Sequence, residues 1–155
     1  MRIFIVVRNL MYKLTLFTSI AVIFFGCTPK IKTQHPLSNY IHIPKVSFCD
    51  LPKHEGKLVF IKAAYSGIDE YWGLSAQKKC NTQIKVELDY REGSTFPTKY
   101  QSLFDSAYSS YWNTYLVLEA IGTYESKNPN GYGHLSSNKA RFIVKDYLNV
   151  RLVRK

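Results

Sequence analysis

Ile84-Lys85-Val86-Glu87-Leu88-Asp89-Tyr90, followed by Tyr100 to Tyr111, is the stretch that decides the fold. In the first run Ile84, Val86, Leu88 and Tyr90 alternate with Lys85, Glu87 and Asp89. That is the period-two pattern of a strand with one face buried and the other in solvent. Glu92-Gly93-Ser94 ends the strand, and Pro97 marks the break. Beyond it the period changes. Tyr100, Leu103, Phe104, Ala107, Tyr108 and Tyr111 recur at the three-and-four spacing of a helix stripe, with Thr98 or Pro97 placed to begin it. The stripe is short and aromatic, which suits a plug for the end of a barrel.

Outward from this pair, Lys57 to Tyr65 reads as a strand. Val59, Ile61, Ala63 and Tyr65 share one face, and Leu58 and Phe60 make the other face apolar too, so both are expected to be partly covered. His54-Glu55-Gly56 turns into that strand, Ser66-Gly67-Ile68-Asp69 reads as a hairpin turn, and Glu70 to Leu74 as the start of the return strand. Thr114 to Tyr124 is β-branched and aromatic, a fourth strand. A polar loop, 126–138, carries the turn signals Asn128-Pro129 and Asn130-Gly131. Ala140 to Val153 is the last strand region, with a bend or bulge expected near Asp146 and Asn149. Three strands, one helix and two strands is the order of the OB-fold. The expected class is therefore mainly β, a five-stranded Greek-key barrel with its helix between strands three and four. A plain antiparallel sandwich is the rival, and a single helix at that point argues against it.

The N-terminus has a different character. Lys13 precedes an apolar run from Leu14 to Phe25, and Gly26 precedes Cys27. The run is well short of the ~20 residues a spanning helix needs and suits a signal-peptide core. The layout resembles bacterial lipoprotein signals. The resemblance implies that residues 1–26 are removed and that Cys27 becomes the lipidated first residue. The alternative is an uncleaved anchor with an incidental cysteine. Met11-Tyr12-Lys13 makes a second good signal start beside Met1. Thr28 after the cysteine, by the same resemblance, disfavours retention in an inner membrane, so the expected location is the periplasmic face of an outer membrane. Residues 27–44, with Pro29, Pro36 and Pro44, read as the lipidated terminus and a tether, and 45–155 as the folded domain.

The chain carries a formal net charge of +10. Its last stretch is dense in cations, with Lys139, Arg141, Lys145, Arg151, Arg154 and Lys155 against Asp146 alone. Such a surface attracts anionic lipid headgroups, anionic glycans or nucleic acid. A generic basic domain is the plainer reading. The remaining cysteines, Cys49 and Cys80, are two in number, and in an oxidising compartment a disulfide between them is the default. A redox or metal pair has no support from a Cys-x-x-Cys motif or a nearby His.

Phe48-Cys49-Asp50-Leu51, Gly56-Lys57, Tyr71-Trp72-Gly73-Leu74 and Cys80 together resemble small OB-fold-like exported bacterial proteins of unknown function. Ala120-Ile121-Gly122-Thr123-Tyr124, Gly131-Tyr132-Gly133-His134-Leu135 and Phe142-Ile143-Val144 extend the resemblance over about residues 46–150. It implies the barrel and the Cys49–Cys80 bridge, and no chemistry.

Catalytic motifs are missing: there is no Gly-x-Ser-x-Gly, phosphate loop or His-Glu-x-x-His. No metal or cofactor is expected, and the protein is not expected to be an enzyme. Asp69-Glu70 reads as a turn pair, and Glu87 and Asp89 as the solvent face of a strand. The most suggestive element is Gly131-Tyr132-Gly133-His134, in the loop that, with the loop between strands one and two, frames the ligand face of an OB barrel. Glycines permit tight turns and close approach. Tyr132 and His134 could stack on a sugar or hydrogen-bond it, or could simply lock the loop. Tyr71 and Trp72, with Tyr65 and Tyr124, add aromatic surface or fill the barrel. Nucleic acid is held by such aromatics, but is not expected outside an inner membrane. The function expected is thus a lipid-anchored binding module for an envelope protein or glycan, using Tyr71, Trp72, Tyr132 and His134. The alternatives are an assembly accessory of an envelope complex and a hydrolase of an anionic polymer.

Overall fold

The computed structural model describes residues 40–80, 84–90 and 96–155. The expected leader, Cys27 and the tether up to position 39 lie outside them. Five strands make one mixed sheet: β1 (Leu58–Ser66), β2 (Gly73–Ser75), β3 (Val86–Tyr90), β4 (Thr114–Glu125) and β5 (Ala140–Arg154). One helix, α1 (Gln101–Ser109), sits between β3 and β4, entered through a 3-10 turn at Thr98–Tyr100. The strands follow one another as β1-β2-β3-β5-β4, and β4 returns to β1, so the sheet closes into a ring. β3 and β5 run parallel, from Val86↔Ala140 to Tyr90↔Val144, and the other neighbours are antiparallel.

The inward set follows the alternation of each strand. Val59, Ile61, Ala63 and Tyr65 of β1 are buried, as are Val86 and Leu88 of β3, and Leu116, Leu118 and Ala120 of β4. The helix stripe closes the interior. Phe104 and Ala107 are buried, and the Phe104 ring packs on Phe96 at 4.6 Å and on Tyr65 at 5.6 Å. Tyr147 of β5 is fully buried and touches Tyr90, Phe96, Tyr100 and Phe104. Aromatic edge-to-face contacts of this kind add to the area they bury. Tyr65 and Tyr108 share a hydrogen bond at 3.1 Å, and so do Tyr90 and Tyr147. Burial pushes the Tyr90 hydroxyl up to about 12 and those of Tyr65 and Tyr147 still further, so all stay neutral and act as hydrogen-bonding struts.

β5 is long because it follows β4 over nearly its whole length, while only Ala140–Val144 also meet β3, and it bends on the way. Pairing runs Glu119↔Asn149 then Ala120↔Tyr147, and Ile121↔Asp146 then Gly122↔Val144, leaving Leu148 and Lys145 as extra residues. These two bulges lie where Asp146 and Asn149 signalled irregularity. Gly122 sits at the second one, where a Cβ would run into the Ile143 carbonyl and the Phe142 ring.

Two elements differ from the sequence expectation. The return strand begins at Gly73, not Glu70, because Trp72 is drawn inward and the chain before it is still turning. A 3-10 segment at Phe48–His54, which has no periodic signal, buries Phe48 and Leu51 against the sheet. Cys49 in that segment is bonded to Cys80 after β2, with Cα atoms 5.6 Å apart. The stretch before it runs along β1: Phe60 N donates to the Pro44 carbonyl at 3.0 Å and Val46 N to the Phe60 carbonyl at 2.9 Å. Within the expected tether, the Pro44 carbonyl thus meets β1, and the Tyr40 hydroxyl donates to Asp146 Oδ2 at 3.2 Å. Among the described residues no helix is long and apolar enough to cross a membrane.

Candidate functional site

Two connections, 67–72 between β1 and β2 and 126–139 between β4 and β5, meet over the strand that opened the sequence reading. The first folds back on itself. Tyr71 N donates to the Ile68 carbonyl at 2.9 Å, Asp69 takes a left-handed φ of 50°, and a Cβ on Gly67 would meet Trp72 Cα at 2.5 Å. Trp72 Nε1 donates to the Asp69 carbonyl at 2.9 Å, and its ring packs on Tyr108 at 4.4 Å and Tyr65 at 5.2 Å. Trp72 is thus only 8% exposed and supports the turn from beneath, leaving Tyr71 on the surface.

The second connection is pinched at its neck. Tyr132 and Asn138 exchange both backbone hydrogen bonds, at 2.9 and 3.1 Å. The Tyr132 ring lies under the Arg141 guanidinium at 5.3 Å, and its hydroxyl accepts from Asn128 N at 3.1 Å. Tyr132 is therefore a strut of the loop. Gly131 and Gly133 supply φ values of 77° and 72°, and beyond them Leu135 and Ser136 also take left-handed φ, 49° and 55°. Arg141 in turn donates to Glu125 Oε2 at 2.8 Å and to Asp89 Oδ2 at 2.9 Å.

Asn138 ties both connections to β3. It is 1% exposed, and its Nδ2 donates to Glu87 Oε2 and, at 3.4 Å, to the Trp72 carbonyl. Its Oδ1 meets no donor among the described residues. Burial under this loop raises the Glu87 carboxyl above the ordinary range; the hydrogen bond from Asn138 acts in the opposite direction. The solvent-face reading of Glu87 and Asp89 is corrected here. Both are half-buried, because a loop closes over a face that alternation alone marks as open. Each is occupied by a structural partner, Asn138 or Arg141.

Above that floor the connections touch through side chains. His134 Nε2 lies 3.0 Å from Glu70 Oε2, and the Tyr71 and His134 rings stand edge to face at 5.3 Å. Beside them Leu135 is 76% exposed and Ile68 52% exposed. The result is an exposed aromatic and apolar patch rimmed by Glu70. Every described non-glycine residue with a left-handed φ, namely Asp69, Leu135 and Ser136, lies on these two loops. Strain held in this way collects at functional surfaces. Sequence reasoning missed Glu70, Ile68, Asn138 and Leu135. Leu135 alone carried a signal, as a lone large apolar residue in a polar loop. Among the described residues no group of three or more His, Cys, Asp or Glu is placed to hold a metal ion.

No protein-family model, curated protein or solved structure matches the chain.

Proposed function

We propose that this chain is a lipid-anchored cell-envelope binding module with an OB-fold-like Greek-key barrel, and that its 67–72 and 126–139 connections form the face that takes a partner. The ring order β1-β2-β3-β5-β4, the parallel β3–β5 pair and the helix between β3 and β4 support the OB-type reading. The lipid anchor at Cys27 and the outer-membrane address rest on the leader pattern, and the Cys49–Cys80 disulfide suits an oxidising compartment.

The observation that carries the binding role is the cluster Ile68, Tyr71, His134 and Leu135 on strained, well-supported backbone. A leucine left largely exposed on left-handed backbone buries little in the fold itself, and a partner that covers it would account for its place. Leu135 and Ile68 bring apolar area without hydrogen bonds, which favours an envelope protein over a glycan.

The test is cross-linking in intact envelopes followed by identification of what is captured, for the parent chain, Leu135→Asp and Cys27→Ser. The expected result is one reproducible envelope protein, lost with Leu135→Asp at an unchanged melting temperature. Cys27→Ser should move the protein out of the membrane fraction. The same protein captured equally by Leu135→Asp would sink the loop surface. Glycan fragments retained in place of a protein would move the reading to a carbohydrate module with Tyr71 as its platform.

A further inference from the structure

A second surface shares no residue with the Tyr71–His134 contact. Two cavities of about 410 and 350 Å³ lie side by side along β1 and β2 and have Ala76 and Lys78 in common. Cys80 lines the first and Cys49 the second, so the disulfide joins their walls. Lys45, Lys62, Lys78, Lys79 and Lys85 line the pair, and neither wall contains an Asp or Glu. Lys62 is paired with Glu119 at 2.7 Å. Among the described residues no carboxylate forms a close ion pair with the other four: Lys45 sits over the Phe60 ring at 5.6 Å, and Lys85, within the field of Glu87, donates its Nζ to the Tyr71 carbonyl at 2.9 Å. All five lysines are exposed. Like charges gathered along a concave surface raise the local potential and attract a polyanion.

We propose that this two-lobed groove binds a linear anionic glycan, with carboxylates of the chain meeting the lysines and its hydroxyls meeting the polar wall. The wall supplies Ser47, Ser66, Ser75 and Gln77 as hydrogen-bonding partners. Lysine ammoniums act as point charges and suit anions spread along a chain, whereas a single planar anion is better held by an arginine fork. Single-stranded nucleic acid needs open aromatic faces to stack its bases. Here Phe48 is buried, and Phe60 is half-buried with Lys45 over its ring. A bilayer would meet a convex or flat basic face; these lysines line hollows. The inference is independent of the loop site.

The experiment is calorimetric titration of the full chain in detergent with an oligogalacturonate, against a neutral glucan of the same length. The expected result is binding of the acidic chain at low salt, none of the neutral one, and weakening with added salt. Lys78→Gln/Lys79→Gln should bind roughly tenfold more weakly, the loss of two favourable charge contacts. Lys139→Gln/Lys145→Gln, outside the groove, should bind as the parent does, and so should Leu135→Asp. Because the changed lysines are exposed, all variants should melt as the parent does. Equal weakening by the Lys139/Lys145 pair reduces the effect to net charge and overturns the groove. Tighter binding of an oligothymidylate or of phosphatidylglycerol vesicles overturns the ligand class, and no binding of the acidic chain by the folded parent does the same. Loss of glycan binding in Leu135→Asp alone would place the glycan at the loops, overturning the groove while leaving the loop surface standing.

Discussion

Glu87 shows how a single side chain can serve placement at the expense of stability. Its carboxylate holds Asn138, and through it the 67–72 and 126–139 connections, but burial penalises its charge. A carboxyl raised in the folded state binds protons more tightly there than in the unfolded chain. The cost is therefore absent in acid, where both states are protonated. It grows as pH rises through the unfolded value and is complete above the folded one. Glu87→Gln keeps an acceptor for Asn138 and removes the charge. Its melting temperature at neutral pH should equal or exceed that of the parent, with the difference vanishing in mild acid. A lower melting temperature at every pH would mean that the charged hydrogen bond outweighs the burial. Tyr147 is a quieter case. Tyr147→Phe removes only its hydrogen bond with Tyr90 inside the aromatic plug and should cost about 1 kcal/mol by thermal denaturation.

At the scale of elements, the strands and helix that bury one clean face were readable from their period. Val86, Leu88 and Tyr90 lie in β3, and Phe104 and Ala107 turn inward from α1. What was not readable follows from contacts distant in sequence. The start of β2 depends on the Trp72 indole finding Tyr65 and Tyr108, and the half-burial of Glu87 and Asp89 depends on a loop that closes over β3 from beyond position 126. The same limit applies to the candidate site. Tyr71, Tyr132 and His134 could be singled out by residue type, but the inward turn of Trp72 and the Glu70–His134 pairing could not. The 3-10 segment has little periodicity to read; it is held by Leu51 in the core and by the bond from Cys49 to Cys80. The bond closes a loop of sequence separation 31, so Cys49→Ser should lower the unfolding free energy by about 3–4 kcal/mol in oxidising buffer. A parent-like denaturant midpoint would show that the segment is held by packing alone.

At the scale of the whole molecule, the proposed loop face is apolar and the proposed lysine groove is cationic, and the two proposals together would let one domain hold an envelope protein against a polymer. The seams of the closed ring are unequal. β4 and β5 pair along nearly their whole lengths, whereas β2 meets β3 through the one pair Leu74↔Val86. Cys80, five residues beyond β2, is bonded to Cys49 of the 3-10 segment. The bridge thus adds a covalent tie close to that short seam. If the chain is exported as proposed, its reduced form would hold that short seam without the covalent tie, and β2 and β3 would be the edges readiest to pair with another copy. Oxidation would then favour closure within one chain over pairing between copies.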